Sequence, residues 1–378
     1  MQARFLQISD FHLDSKFLGF QDVDKISQRK RELEETFKKV IQFANSIKEE
    51  LDFILFAGDL FEGDYFSPNT IKSLIIYGIE SLKPLPVYIV AGNHDILEDS
   101  SPYLIYDWPE NSHIFGAEFE KVKVNDSLYI WGVSVSPENV SKNLLKDLSV
   151  DNKDVLNIAL MHGAEIGNGT EESIFGDSLP FSSDDIKRSG VDYIALGHYH
   201  NCRQVPKNSE NVLGYYSGSP ESLSFKELGE KFILKVKVKK GENPEVDEIS
   251  FQKRYYREIE VDCSGIISSD EIKEIVKNSS DADAVVAITL KGDVDPDIRI
   301  DLEDIEDYIK QGNIFFAFNL KNNIRSVYSQ ELIESSLLGK NFIKILQDRQ
   351  VSKEVIDIAT KVGLDAIFTK EIRGWNEV

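Results

Sequence analysis

Cysteine and histidine are both scarce in this chain of 378 residues: two of the first and six of the second. Cys202 and Cys263 lie far apart in sequence, which excludes a small disulfide-stapled scaffold and a thiolate zinc cage, and points to a reduced, cytoplasmic setting. No apolar run reaches 18 residues, so no transmembrane helix is expected. The chain runs straight into the apolar stretch Phe5-Leu-Gln-Ile8 without a basic region or cleavage site, so no signal peptide is expected either. Positive charge is in deficit: 43 Lys and Arg stand against 65 Asp and Glu, a net charge of −22. That balance argues against loose binding of nucleic acid over the whole surface. The deficit is concentrated locally, since residues 281–307 hold ten acidic and two basic side chains. The remaining basic clusters, Arg29-Lys30-Arg31, Lys38-Lys39 and Lys253-Arg254 with Arg257, read as solvated faces. A hydrophobic content of 41% with this length allows two or three domains with a substantial core.

The pattern begins as a parallel α/β unit. Apolar runs at 5–9, 53–57 and 86–91 read as strands, with a helix over 25–50 carrying Leu33, Phe37, Val40, Ile41 and Ala44 at helical spacing. Ser67-Pro68 opens a second helix. Segments 119–124 and 128–135 read as a hairpin around Asn125-Asp126, and 137–148 reads as a helix. Strands follow at 155–161, 191–196, 212–217 and 231–238, with a long polar loop over 163–182 and a short helix over 183–189. Gly241-Glu-Asn-Pro244 marks a domain boundary, which sets a first domain at 1–240. A smaller α+β domain is expected over 250–322 and two short amphipathic helices over 330–368.

The chemistry-bearing residues sit where strands end. Five ends carry Asp10-X-His12, Gly58-Asp59, Gly92-Asn93-His94-Asp95, His162-Gly163 and Gly197-His198-X-His200. Five of the six histidines fall in these motifs, and His113 alone lies outside. The donors are imidazole, carboxylate and carboxamide without thiolate, a set that suits Mn, Fe or Zn in a reactive site. Asp10, His12, Asp59, Asn93, His162, His198 and His200 are too many for one ion and suit two, roughly 3.5–4 Å apart. Two such ions clamp a phosphate and acidify a bridging water. His94 is left over, as a proton donor to a leaving oxygen or as a hydrogen-bonding support.

In that order, the five motifs resemble the calcineurin-like metallophosphoesterase superfamily. Asp10-Phe-His-Leu-Asp14, Gly58-Asp-Leu-Phe61, Gly92-Asn-His-Asp95 and Gly197-His-Tyr-His200 resemble, within it, the SbcD-type DNA repair exonucleases, relatives of the meiotic-recombination (Mre-type) nucleases. Ser217-Gly-Ser-Pro-Glu221 and Phe225-Lys-Glu-Leu-Gly229 resemble its YhaO-like branch. The match covers residues 1 to about 238. Asp14 and Glu62 depart from it, standing where many relatives have Gly and Asp.

The resemblance implies a two-sheet αββα sandwich with a smaller capping domain and a helical C-terminal tail. It implies that Asp10, His12, Asp59 and His200 hold one Mn²⁺ and that Asp59, Asn93, His162 and His198 hold another, with Asp59 bridging and Fe, Zn or Mg as possible substitutes. His94 would assist the leaving group. The expected function is a metal-dependent DNA exonuclease or endonuclease in double-strand break repair, cytoplasmic, paired as a homodimer and docked through 330–368 on the coiled coil of an SbcC-like ATPase. That tail reads equally as helices packed on their own domain. The alternatives are a phosphodiesterase or phosphatase for a small-molecule or protein phosphate ester, which the charge of −22 favours, and a metal-bound scaffold.

Overall fold

A computed structural model describes residues 1–17, 20, 22–63, 66–166, 178–225, 227–349 and 352–368. The chain divides into two units, Met1–Lys253 and Arg254–Val378. Most of the expected loop 163–182 lies outside the described residues.

The apolar runs of the first unit build two six-stranded sheets. In the first, β1 (Gln2–Ile8), β2 (Phe53–Ala57), β3 (Val87–Val90) and β4 (Ser112–Ile114) are parallel neighbours. On the other side of β1 lie β11 (Ile233–Lys239) and β12 (Glu245–Ile249), both antiparallel to their neighbours. The second sheet runs β5 (Glu120–Asn125), β6 (Leu128–Val133), β7 (Leu156–His162), β8 (Tyr193–Gly197), β10 (Gly214–Tyr216) and β9 (Arg203–Val205). Every residue of β2, β3, β7 and β8 is buried, as expected of strands covered on both faces.

Between the sheets lies a core of Phe5, Phe53, Leu55, Tyr88, Ile130, Ile158, Leu160 and Tyr193. Phe5 and Phe53 stack at 5.0 Å, and truncating either to Ala should cost about 3–5 kcal/mol. Helix α1 (Val23–Ser46) covers the outer face of the first sheet with Leu33, Phe37, Val40, Ile41 and Ala44. Its first turn is capped by the Asp22 carboxylate, which accepts from the amides of Asp24 and Lys25. Helix α4 (Ser183–Ser189), closed by a Ser182–Asp185 capping box, places Ile186 against the outer face of the second sheet. The unit is the expected αββα sandwich.

Several local features differ from the sequence reading. The helix after Ser67-Pro68 is a π-helix over Thr70–Ile76 that runs into α2 (Tyr77–Ser81). No α-helix forms over 137–148, where only Leu145–Asp147 makes a 3₁₀ turn. Asn139 there bonds the backbone of Ser136, Ser134 and Ala117, and Asn143 accepts from the amide of Lys146, so side chains compete with a helical ladder. Four short elements were not anticipated: α3 (Pro102–Ile105) and the strands β4, β9 and β12. Gly241–Pro244 is a hairpin turn between β11 and β12 rather than a boundary.

The second unit is α/β where α+β was expected. Its strands β13 (Tyr255–Asp262), β14 (Asp281–Val294) and β15 (Phe315–Ser326) are all parallel. The crossovers are α5 (Ser269–Asn278) and α6 (Leu302–Gln311), which bury Ile272, Val276, Ile305 and Ile309 against the sheet. Three C-terminal helices follow where two were expected: α7 (Gln330–Ser335), α8 (Leu337–Gln347) and α9 (Lys353–Phe368). Tyr328 donates to the buried Asp365 of α9 at 2.6 Å, so α9 is tied to its own unit.

Candidate metal centre

The carboxyl ends of β1, β2 and β3 meet those of β7 and β8 across the sandwich. The chain turns sharply where β1, β2 and β8 end. Asp10, His12, Asp59 and His198 all hold positive φ, at 52°, 47°, 51° and 110°. Side chains in that region strain the backbone, and such strain gathers at functional sites. The approach is close enough that side chains are excluded beside it. A Cβ on Gly92 would lie 2.1 Å from the Asp59 carboxylate, and one on Gly58 would lie 2.4 Å from Nδ1 of His162.

All seven candidate ligands converge here. Asp10 and His12 donate their amides to the carbonyls of Gly58 and Asp59, which pins the first motif to the second. Asp10, His12 and His200 form one cluster, and Asp10, Asp59 and His162 another, each with its donor atoms within 4.8 Å. Asn93 Oδ1 lies 2.9 Å from His162 Nε2 and 3.2 Å from His198 Nδ1. The His198 amide donates to the Asp10 carboxylate, which also accepts from Ser9. His94, in a third cluster with His12 and Asp59, keeps 47% of its side chain exposed on the wall of a cleft of about 980 Å³. His113 lies away from this group and pairs with Glu120.

The donor chemistry fits metal. His12 Nδ1 faces Glu62 at 3.0 Å, His200 Nδ1 faces Glu227 at 3.0 Å, and His162 Nδ1 faces the Ala57 carbonyl at 2.9 Å. Each acceptor holds a hydrogen on Nδ1, so each Nε2 faces inward as the nitrogen an ion would take. His12 and His200 then confront each other Nε2 to Nε2 at 3.1 Å, an arrangement that calls for a cation.

Electrostatics agree. Burial opposes charge on Asp59, but His162 outweighs it and holds the carboxyl well below the usual range. Burial likewise opposes charge on His162, and Asp59 still raises it to about 9. Burial and the neighbouring His162 push His198 down to about 4, so it stays neutral. Glu62 raises His94 to about 9 by hydrogen bonding.

A model of the calcineurin-like phosphoesterase family matches residues 3–202, which hold every one of these donors. The chain belongs to this family. The family is one of phosphoester hydrolases built on a dinuclear metal site, and this chain carries candidate ligands for such a site. The chain is 30% identical over 249 residues to the uncharacterized metallophosphoesterase YhaO of Bacillus subtilis (strain 168), covering 63% of this chain and 58% of that one. It is 27% identical over 239 residues to the DNA double-strand break repair protein Mre11 of Saccharolobus solfataricus, covering 60% and 56%. The Mre11 of Archaeoglobus fulgidus is 23% identical over 334 residues, covering 78% of this chain and 70% of that one. The chain therefore spans less than two thirds of the first two relatives.

Three supporting carboxylates were not identified as site residues from sequence. Asp95 is buried and accepts from the amides of Asp59, Leu60 and Gly92 and from the Tyr103 hydroxyl, tying the second motif to the third. Burial, then the Asp59 charge, raises it to about 6. Glu227 also accepts from the Leu223 amide and from Ser219 and Ser224. Glu62 touches both His12 and His94. The motif Gly92-Asn-His-Asp95 signalled Asp95; nothing in sequence tied Glu227 to His200.

Proposed function

We propose that the first unit is a two-metal phosphodiesterase whose substrate is DNA. The carrying observation is a seven-donor centre opening beside a half-exposed imidazole, His94, on the wall of a large cleft. Asp10, His12, Asp59 and His200 would hold one ion, and Asp59, Asn93, His162 and His198 the other, Mn²⁺ in the native protein. When bound, the pair supplies a clamp on the phosphate and a water acidic enough to attack it.

The chain's own residues do the rest. Glu62, Glu227 and the Ala57 carbonyl orient the three inward imidazoles. His94 engages Glu62 through Nδ1, and its Nε2 has no protein partner among the described residues. It is therefore placed to give a proton to the departing oxygen, a contribution of roughly 10²–10⁴-fold. Similarity to two DNA double-strand break repair proteins supports the choice of DNA. The tail supports an ATPase coiled coil as partner, since Leu337, Leu338, Ile345, Val355 and Ile358 stand exposed on α8 and α9. Pairing as a homodimer rests on the family resemblance alone.

One observation favours a second reading, a small-molecule phosphate ester with far less charge than DNA. The described lining of the cleft holds Lys16 against Glu62, Asp95, Glu98 and Glu227, an unfavourable wall for a polyanion.

Cleavage of single-stranded, duplex and hairpin DNA by the Mn²⁺-loaded protein, beside bis(4-nitrophenyl) phosphate, separates the two. Cleavage of the small ester without DNA cleavage would overturn the nuclease reading. His94→Ala should keep its metal while losing cleavage; loss of metal would remove His94 from the acid role. For the tail, Leu337→Glu with Leu338→Glu should abolish capture by an SbcC-like coiled coil while DNA cleavage persists.

A further inference from the structure

Glu62 belongs to neither ligand set, yet its backbone is fixed between the two segments that carry His12 and His94. Its amide donates to the Leu13 carbonyl at 3.0 Å, and the next amide, that of Gly63, donates to the His94 carbonyl at 2.8 Å. A Cβ on Gly63 would lie 2.5 Å from that carbonyl oxygen, so the two segments touch. From this anchored position the side chain spreads its two oxygens. Oε1 lies 3.0 Å from Nδ1 of His12, and Oε2 lies 3.2 Å from Nδ1 of His94. The two rings meet edge to face, with centroids 4.7 Å apart at 83°.

A carboxylate is the one side-chain group with two acceptor oxygens and no donor at neutral pH. Facing two Nδ1 atoms, it requires an N–H on both. Each ring then has its other nitrogen committed. Nε2 of His12 looks toward Asp59 Oδ2 at 3.5 Å and His200 Nε2 at 3.1 Å. Nε2 of His94 is the nitrogen left for the cleft. Glu227 offers a contrast within the same site. Among the described residues it holds His200 and otherwise engages its own neighbourhood of Ser219, Leu223, Ser224 and Lys231.

We propose that Glu62 is a positioning residue for two imidazoles at once, presenting Nε2 of His12 to the metal centre and Nε2 of His94 to the leaving oxygen. The proposal rests on the roles given above to His12 and His94. Its consequence is that metal retention and leaving-group protonation depend on a single carboxylate. An amide at this position has one acceptor and one donor. It accepts from one ring and must donate to Nδ1 of the other: on His12 that puts a hydrogen on the Nε2 that must be free for an ion, and on His94 it takes away the Nδ1–H bond to a carboxylate that aims Nε2–H at the cleft.

The test uses the full chain and four variants: Glu62→Gln, His94→Ala, the two combined, and Glu227→Gln. Mn²⁺ affinity is measured by titration. At saturating Mn²⁺, cleavage is compared between thymidine 5′-(4-nitrophenyl phosphate), whose leaving group needs little protonation, and a thymidine dinucleotide, whose leaving alkoxide needs it. Glu62→Gln should weaken Mn²⁺ by about 10–100-fold. At saturation it should still slow the dinucleotide at least tenfold more than the nitrophenyl ester. In the His94→Ala background the added substitution should weaken Mn²⁺ as before and leave the ratio of the two substrates unchanged. Glu227→Gln should weaken Mn²⁺ without altering that ratio.

The inference is overturned if Glu62→Gln moves only one readout, or if it still shifts the substrate ratio when His94 is absent. If His94→Ala itself leaves the ratio unchanged while cleaving both esters, the acid role of His94 falls, and the dual role of Glu62 with it.

Discussion

The carboxyl ends of β1, β2, β3, β7 and β8 bring buried Asp10, His12, Asp59 and His162 together with half-buried Asn93, His198 and His200. The carboxyl ends of β13, β14 and β15 are also parallel and adjacent, yet Asp262, Asp293 and Arg325 there stand exposed. Their interactions are simple surface pairs, Arg325 with Asp293 at 2.8 Å and Lys291 with Glu260 at 2.5 Å. Parallel strand ends are thus insufficient to make a site. The first unit has two sheets facing each other, so ends from both arrive at one place and water is squeezed out. The second has one sheet with helices on one face, and its end groups stay solvated.

The largest effect expected from breaking this contrast is at Asp59, shared between the two sets of donors. Asp59→Asn should reduce phosphodiester cleavage to background and the Mn²⁺ content of the loaded protein below two per chain. Two tightly held ions in that variant would show that the ends do not share a bridging group. Next is Glu227→Gln, which removes the carboxylate behind His200 and should weaken Mn²⁺ by about 10–100-fold in a titration.

A smaller effect comes from pH. Without an ion, His162 holds its proton up to about 9 because Asp59 outweighs the opposing effect of burial. An ion must displace that proton, so apparent Mn²⁺ affinity should rise with pH, by up to about tenfold per unit between pH 7 and 9. An affinity flat across that range would mean that His162 is not a ligand. The smallest effect belongs to the second unit. Arg325→Ala removes an exposed pair worth under about 1 kcal/mol and should leave cleavage of a nitrophenyl ester unchanged. A large loss of that activity would erase the contrast between the two sets of ends.

Much of the site was legible because its donors follow apolar runs directly. His162 and the pair His198 and His200 stand where β7 and β8 stop, a placement readable from residue type alone. The sandwich was legible for the same reason, through the continuous apolar strands. Glu62, Asp95 and Glu227 act through space. Glu62 reaches His12 across 50 positions and His94 across 32, and no periodicity encodes such a pairing. The expected helix at 137–148 has the apolar spacing of one but does not form; Asn139 and Asn143 redirect the backbone by bonds that pattern does not register. The second unit was misread as α+β because strand direction depends on connections, and its helices are the crossovers that make all three strands parallel.

The left-handed turns at Asp10, His12, Asp59 and His198 also bear on how this chain can change by descent. Each holds a side chain where glycine would sit without strain, at a penalty of about 1–3 kcal/mol. Selection for hydrolysis must maintain all four against that gradient. A lineage released from the chemistry meets the opposite pressure, since glycine at any of these turns relaxes the backbone as it removes a donor. Loss would then act as a ratchet: the first replacement accepted relieves strain, and restoring the donor means climbing back. Silent descendants of this protein should be recognisable by glycine at these turns within an otherwise intact sandwich.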